Sequence, residues 1–141
     1  MKKIAVIYWS GTGNTQIMAE KVAEGVQSAG GQATLLSPAE ADADIIKDFD
    51  AIAFGCPSMG MEQLEETEFE PMFVNVKNSL AGRKIALFGS YGWGDGEWMR
   101  NWEAECLQLG AVLAHESVIC NETPDEEAQS RCISLGMALV N

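Results

Sequence analysis

Apolar positions along the chain fall into two rhythms. Ile4-Ala5-Val6-Ile7-Tyr8 is an unbroken apolar run, the pattern of a strand buried on both faces. Behind it Ile17, Met18, Ala19, Val22, Ala23 and Val26 recur at three- and four-residue spacing and predict an amphipathic helix, stopped by Gly30-Gly31. The same alternation continues down the chain. Ala33 to Leu36 predicts a short second strand, Asp42 to Lys47 a brief helix, and Ala51 to Cys56 a third strand ended by Pro57. Phe69 to Leu80 predicts a helix closed by Gly82, and Ile85 to Gly89 a fourth strand. Trp98, Trp102, Cys106 and Leu109 mark a helix ended by Gly110; Val112 to Val118 predicts a fifth strand and Glu126 to Leu139 a closing helix. Five strands alternating with five helices predict an α/β fold: a doubly wound parallel sheet with helices on both faces, residues 1–141 forming one domain. Ligands of such open sheets sit outside the carboxyl ends of the strands, where the strand order reverses. The loops after strands one, three and four are therefore expected to carry the chemistry.

The first of these loops is Ser10-Gly11-Thr12-Gly13-Asn14-Thr15, a strand-to-helix turn. Its two glycines allow close backbone approach, and its hydroxyls and amide offer neutral hydrogen bonds. The first N–H groups of the following helix lack partners within it and carry the positive end of its dipole, which suits a phosphate. A polar N-cap is the plainer account, but six consecutive small polar residues exceed what a cap requires. The first lysine after the turn is Lys21, inside the helix, which excludes a nucleotide-triphosphate loop. Gln16 stands where a dinucleotide fingerprint needs its third glycine, and no acidic residue closes the second strand at Leu36-Ser37 to hold a ribose.

The other two loops are Pro57-Ser58-Met59-Gly60-Met61-Glu62 and Ser90-Tyr91-Gly92-Trp93-Gly94-Asp95-Gly96. The second sets Tyr91 and Trp93 among glycines, without a helix or strand face to bury into. That predicts stacking on a flat aromatic ligand, the alternative being that Trp93 folds back onto the core. Trp98 and Trp102 lie on a helical apolar stripe and are assigned to the core, and His115, alone in a strand, is assigned a structural role.

Charge narrows the field. Against 9 Lys+Arg stand 21 Asp+Glu, a net charge of −12, which argues against nucleic acid and anionic membranes as partners and for meetings with basic surfaces. Glu62, Glu65, Glu66, Glu68 and Glu70, with Asp95 and Glu97, are expected to form an exposed acidic patch beside the ligand. No stretch reaches membrane-helix length, and two lysines lead straight into a strand without a cleavage site, so a cytoplasmic protein is expected. Cys56, Cys106, Cys120 and Cys132 show no Cys-x-x-Cys spacing and are read as reduced, structural thiols.

Tyr8-Trp9-Ser10-Gly11-Thr12-Gly13-Asn14-Thr15, Met59-Gly60-x-Glu62 with Glu70-Pro71, and Gly89-Ser90-Tyr91-Gly92-Trp93-Gly94 together resemble the flavodoxins. The likeness spans essentially the whole chain and is to the short-chain type of anaerobic bacteria, since strand five carries no inserted segment. The strand order 2-1-3-4-5 is carried over from that family. The resemblance implies a monomeric, low-potential carrier of single electrons that binds FMN non-covalently, has no substrate of its own, and meets ferredoxin-type oxidoreductases and reductases through their basic surfaces. It implies that Ser10, Thr12, Asn14 and Thr15, with N–H groups from Gly11 to Thr15 including Gly13, hold the phosphate. Pro57, Ser58, Met59, Gly60, Met61 and Glu62 would border the flavin on one side, and Ser90, Tyr91, Gly92, Trp93 and Gly94 on the other. In that scheme Trp93 and Met59 cover the two ring faces, Glu62 accepts from the flavin N3–H, and N–H groups of Tyr91 and Gly92 meet the pyrimidine carbonyls. Asn121-Glu122 would close the rim. In that family the peptide after the glycine of this turn flips on one-electron reduction, and the flipped form, as a type II turn over Met59-Gly60-Met61-Glu62, would need φ > 0 at Met61.

Rival readings fit less well. A phospho-acceptor domain needs an aspartate ending strand three and an acidic pair after strand one, where Cys56 and Tyr8-Trp9 stand; a small phosphatase needs Cys-x5-Arg, and Cys56 is followed by none. An FMN-dependent quinone or disulfide reductase on the same scaffold would need a roomy substrate pocket and turnover of a nicotinamide, for which the chain offers no second nucleotide motif. A pure binding module is the remaining alternative.

Overall fold

A computed structural model describes residues 1–141. Strand β1 (Lys3–Tyr8) is an interior strand, paired in parallel with the edge strand β2 (Gln32–Leu36) on one side and the central β3 (Ala51–Gly55) on the other. The register sets Ile7 opposite both Leu36 and Phe54. β4 (Lys84–Tyr91) follows β3, and the far edge is shared by two short segments, β5 (Val112–Leu113) and β6 (Val118–Asn121), which pair with successive halves of β4. The strand order is therefore 2-1-3-4-5, all parallel, as expected.

The unbroken apolar runs are explained by helices on both faces. Ile4 and Val6 of β1 join α1 (Asn14–Ser28) and α5 (Glu126–Val140) in one core, while Ala5 and Ile7 join α3 (Phe69–Val76) and α4 (Glu97–Gln108) in the other. A short α2 (Ala43–Ile46), capped by the Asp42 carboxylate on the Ile45 N–H at 2.8 Å, leads into β3. On the first face α1 and α5 touch backbone to backbone. A Cβ on Gly25 would come within 2.0 Å of the Ile133 carbonyl oxygen, and one on Gly136 within 2.0 Å of the Val22 carbonyl oxygen. On the second face Trp102 meets Phe69 edge-on at 5.5 Å and Phe73 at 5.8 Å. Its buried indole N–H finds no acceptor, a cost of about 1–3 kcal/mol that two edge-on pairs and the burial of a whole indole offset.

Three boundaries differ from the sequence reading. The fifth strand is split, because the chain leaves the sheet edge after the Ala114 N–H, which still donates to the Ile85 carbonyl oxygen of β4 at 2.8 Å: the Ser117 hydroxyl donates to the Glu103 carboxylate of α4, and His115 sits in this bend with its Nδ1 2.7 Å from the Glu116 carbonyl oxygen. The third helix tightens at Lys77–Ser79 into a 3₁₀ turn, which still buries Leu80. β4 runs two residues past Gly89, so Tyr91 belongs to a strand and leans on Trp98 at 5.6 Å instead of standing free in a loop.

Candidate functional site

At the carboxyl ends of β1, β3 and β4 opens a cavity of about 380 Å³. Its floor is the turn between β1 and α1. Gly13 takes φ 99°, a left-handed conformation that brings the chain into the helix without a Cβ penalty. The Ser10 Oγ accepts the N–H groups of Gly13 at 3.1 Å and Gln16 at 3.2 Å, so its own proton is left to donate. Thr15 is buried and shares a 3.2 Å hydrogen bond with the Ser90 hydroxyl at the end of β4. The Asn14 Oδ1 accepts from the Thr123 hydroxyl at 3.2 Å, which leaves the amide NH₂ free. The N–H groups of Gly11, Thr12, Asn14 and Thr15 meet no protein acceptor, and no lysine or arginine lines the cavity. A turn of free donors at the positive end of a helix, without a cation, is a site for an anion held by neutral groups.

One wall is the loop after β3, hung on β4 by the Ser58 N–H on the Ser90 carbonyl oxygen at 3.0 Å. Met59 and Gln63 exchange backbone hydrogen bonds of 2.8 and 2.9 Å and close a three-residue hairpin. Its left-handed residues are Gly60 (φ 52°) and Glu62 (φ 53°); Met61 is not among them. This hairpin is therefore not the type II turn that the resemblance implies for the reduced form, which would need φ > 0 at Met61. Met59 lines the cavity, whereas Met61 is 83% exposed and does not line it. The Glu62 carboxylate accepts the Glu97 N–H at the start of α4 at 3.1 Å, and it lies where a Cβ on Gly94 would be, 2.5 Å from its Oε1.

The opposite wall is Ser90, Tyr91 and Gly92, with Glu122 and Thr123 at the rim. Trp93 is 61% exposed, so it does not fold back on the core. Of the residues read from sequence, Ser10, Gly11, Thr12, Asn14, Thr15, Pro57, Ser58, Met59, Ser90, Tyr91 and Gly92 line this one cavity. Gly13, Gly60, Met61, Glu62, Trp93 and Gly94 belong to the same three loops but do not line it. Two lining residues had no assigned role. Trp9 follows β1 and was legible only as part of the Tyr8–Thr15 motif, ahead of Ser10; Thr123 gave no signal, since its partner Asn14 is 109 residues away.

The acidic run divides in two. Glu66, Glu68 and Glu70 are exposed, but Glu65 is only 5% exposed and is no part of a solvated patch. Its carboxylate accepts the N–H groups of Thr67, Glu68 and Phe69, each at 2.8 Å, and the Thr67 hydroxyl, closing the start of α3. Burial alone would raise its pKa; the Thr67 hydroxyl and the three N–H groups outweigh it and hold the carboxyl below the usual range. The Cys56 thiol, behind the same turn, is pushed up to about 12 by burial. Burial likewise lifts Cys106 and Cys132 to about 12 and Cys120 to about 11, and no cysteine lines the cavity. No cluster of three potential metal ligands is present.

A family model described as Flavodoxin matches residues 6–136. The chain is 41% identical over 136 residues to a flavodoxin of Clostridium beijerinckii, covering 96% of this chain and 98% of that one. It is 39% identical over 135 residues to a flavodoxin of Megasphaera elsdenii, covering 96% of each. The solution structure of the two-electron reduced Megasphaera elsdenii flavodoxin superimposes with a TM-score of 0.90 over 97% of this chain and 98% of that one, at 39% identity.

Proposed function

The chain belongs to the flavodoxin family, and from that premise we propose how its own residues hold FMN and meet other redox proteins. As a flavodoxin it is an FMN-binding electron carrier without a substrate of its own. FMN, when bound, supplies the one-electron chemistry; the chain supplies the cavity.

The residues present fit that group. The observation that carries the reading is the β1–α1 turn, whose N–H groups at Gly11, Thr12, Asn14 and Thr15 are free and face a cavity without a cation. A phosphate there is held by N–H groups, the hydroxyls of Ser10, Thr12 and Thr15, the Asn14 amide and the α1 dipole. At about 380 Å³ the cavity lies within the range of cofactor sites. Pro57, Ser58 and Met59 border the flavin on one side and Ser90, Tyr91 and Gly92 on the other, with the exposed Trp93 available to cover a ring face. Glu62 keeps lone pairs free beside its contact with Glu97 and is the acceptor we assign to the flavin N3–H.

Partners of basic surface, among them ferredoxin-type oxidoreductases and reductases, would approach over the exposed Glu66, Glu68, Glu70 and Glu97. We assign residues 1–141 to one monomeric, cytoplasmic FMN-binding unit; no helix is long and apolar enough to cross a membrane. A quinone or disulfide reductase is not favoured, because the near-full-length relatives are flavodoxins and no low-pKa thiol adjoins the cavity. The test is reconstitution. Apoprotein should take up FMN stoichiometrically, titrate in two one-electron steps, and oxidise no NADH or NADPH unaided. Nicotinamide oxidation by the purified protein would overturn the carrier reading.

A further inference from the structure

Trp9 is a partition. It lines the cavity above the β1–α1 turn and also a second cavity of about 390 Å³ on the β2 side, where Leu36, Ser37 and Glu68 face it. The outer edge of its ring abuts the turn: a Cβ on Gly11 would come 2.9 Å from the Trp9 Cη2 and 3.2 Å from its Cζ3. The main chain of Trp9 is held by the sheet, its N–H donating to the Gly55 carbonyl oxygen at 3.0 Å. The side chain is held by one polar contact only, the indole Nε1–H on the Glu68 Oε2 at 2.5 Å, between residues 59 apart in the chain. The main chain of Glu68 is held in turn, its N–H donating to the buried Glu65 carboxylate at 2.8 Å.

We propose that Glu68 is a positioning residue for FMN: by pinning the Trp9 indole against Gly11 it holds the wall beside the phosphate turn in place before the cofactor arrives. The inference rests on the FMN site assigned above. Its physical content is preorganisation. Four free N–H groups in a turn bind an anion best when the turn cannot relax away from the anion's position, and a pinned ring against Gly11 blocks that relaxation. The charge of Glu68 works the other way, since a carboxylate near a phosphate is repulsive. The two effects separate by substitution. Glu68→Gln keeps an oxygen acceptor for the indole and removes the charge; Glu68→Ala removes both.

The experiment is titration of apoprotein with FMN and, separately, with riboflavin, followed by quenching of flavin fluorescence. Losing a hydrogen bond to a charged acceptor predicts that Glu68→Ala and Trp9→Phe each raise the Kd for FMN about tenfold. The double variant should be no worse than either single one, and riboflavin affinity should move less, because it lacks the phosphate. Glu68→Gln should bind FMN at least as tightly as the parent protein. Three results would overturn the proposal: parental FMN affinity in Glu68→Ala, additive losses in the double variant, or Glu68→Gln as weak as Glu68→Ala. A parent apoprotein that binds no FMN would overturn the site assignment and this inference with it, whereas strong parental binding with unaffected variants overturns the inference alone.

Discussion

The Glu65 carboxylate accepts the Phe69 backbone N–H at 2.8 Å, and with the Thr67 and Glu68 N–H groups it closes the open end of α3 from inside the fold. Glu65→Ala leaves those donors without a partner beside the core and should cost about 1–3 kcal/mol. The pH dependence has a definite sign. The folded-state pKa is lowered, so the folded protein binds fewer protons than the unfolded chain, and the cap's contribution is complete above the ordinary value of 4.5. It is lost as pH falls through the lowered value. Thermal unfolding of the parent and of Glu65→Gln should therefore differ at neutral pH and converge in acid. A gap that stays constant across that range would show that the ionised carboxylate is not the cause.

A second stability prediction concerns α1 against α5. A methyl group on Gly25 or Gly136 meets a carbonyl oxygen of the other helix at 2.0 Å, and backbone cannot move aside as a side chain can. Either alanine variant must push the helices apart, which should outweigh the gain of about 1 kcal/mol in helix propensity. Denaturant unfolding should place both midpoints well below the parent's. A stabilised Gly136→Ala would mean that the helices are not this close.

Much of this was legible along the chain because it is local. The β1 run, the Ser10 to Thr15 turn and the α1 stripe need only neighbours in sequence, and all three fall where the periodicity puts them. What was not legible depends on partners far away. Glu65 sits in Glu65-Glu66-Thr67-Glu68, which reads as a solvated run until the turn aims one carboxylate inward. Tyr91 reads as a loop residue among glycines because its pairing with Asn121 on β6 cannot be seen locally. Val112 to Val118 reads as one strand because nothing local announces the tie from Ser117 to Glu103.

The exposed acids should govern encounters. Neutralising Glu66, Glu70 and Glu97 together, leaving Glu65 as a cap and Glu68 on Trp9, should slow electron transfer to a basic redox protein at low salt and have little effect at high salt. The same change should raise the lower reduction potential, since it removes repulsion from the reduced cofactor's charge. About 59 mV corresponds to about 1.4 kcal/mol for one electron, and screened surface charges should each give well under that. Equal rates at low and high salt in the parent protein would end the docking assignment.

Trp93, held outside the core, is free to stack. Stacking on a flat ring is worth about 1 kcal/mol beyond area burial, and an electron-rich indole stacks less well on an anionic ring than on a neutral one. Trp93→Ala should weaken oxidised FMN binding severalfold, weaken the fully reduced form less, and so raise the lower potential. Unchanged affinity for oxidised FMN would show that this indole faces elsewhere.

The hairpin at Gly60 yields the sharpest test, because its left-handed residues in this form are not the one that a type II turn would need. Gly60 takes φ 52° and Glu62 φ 53°, while Met61 is relaxed. Gly60→Ala places a Cβ in the left-handed region and should cost about 1–2 kcal/mol of stability. Met61→Gly relieves nothing in this form and adds freedom to the unfolded chain, so it should lower stability by about 0.5–1 kcal/mol. Reduction potentials compare two folded forms, and there the unfolded chain drops out. If reduction turns the hairpin into the type II form, Met61 alone must enter φ > 0, at a cost of about 1–2 kcal/mol. Met61→Gly then favours the reduced form and raises the first potential by some tens of millivolts, at roughly 59 mV per 1.4 kcal/mol, while melting earlier than the parent. A glycine at 61 that melts earlier and leaves the first potential unmoved would mean that the Gly60–Glu62 hairpin keeps its present form in both redox states.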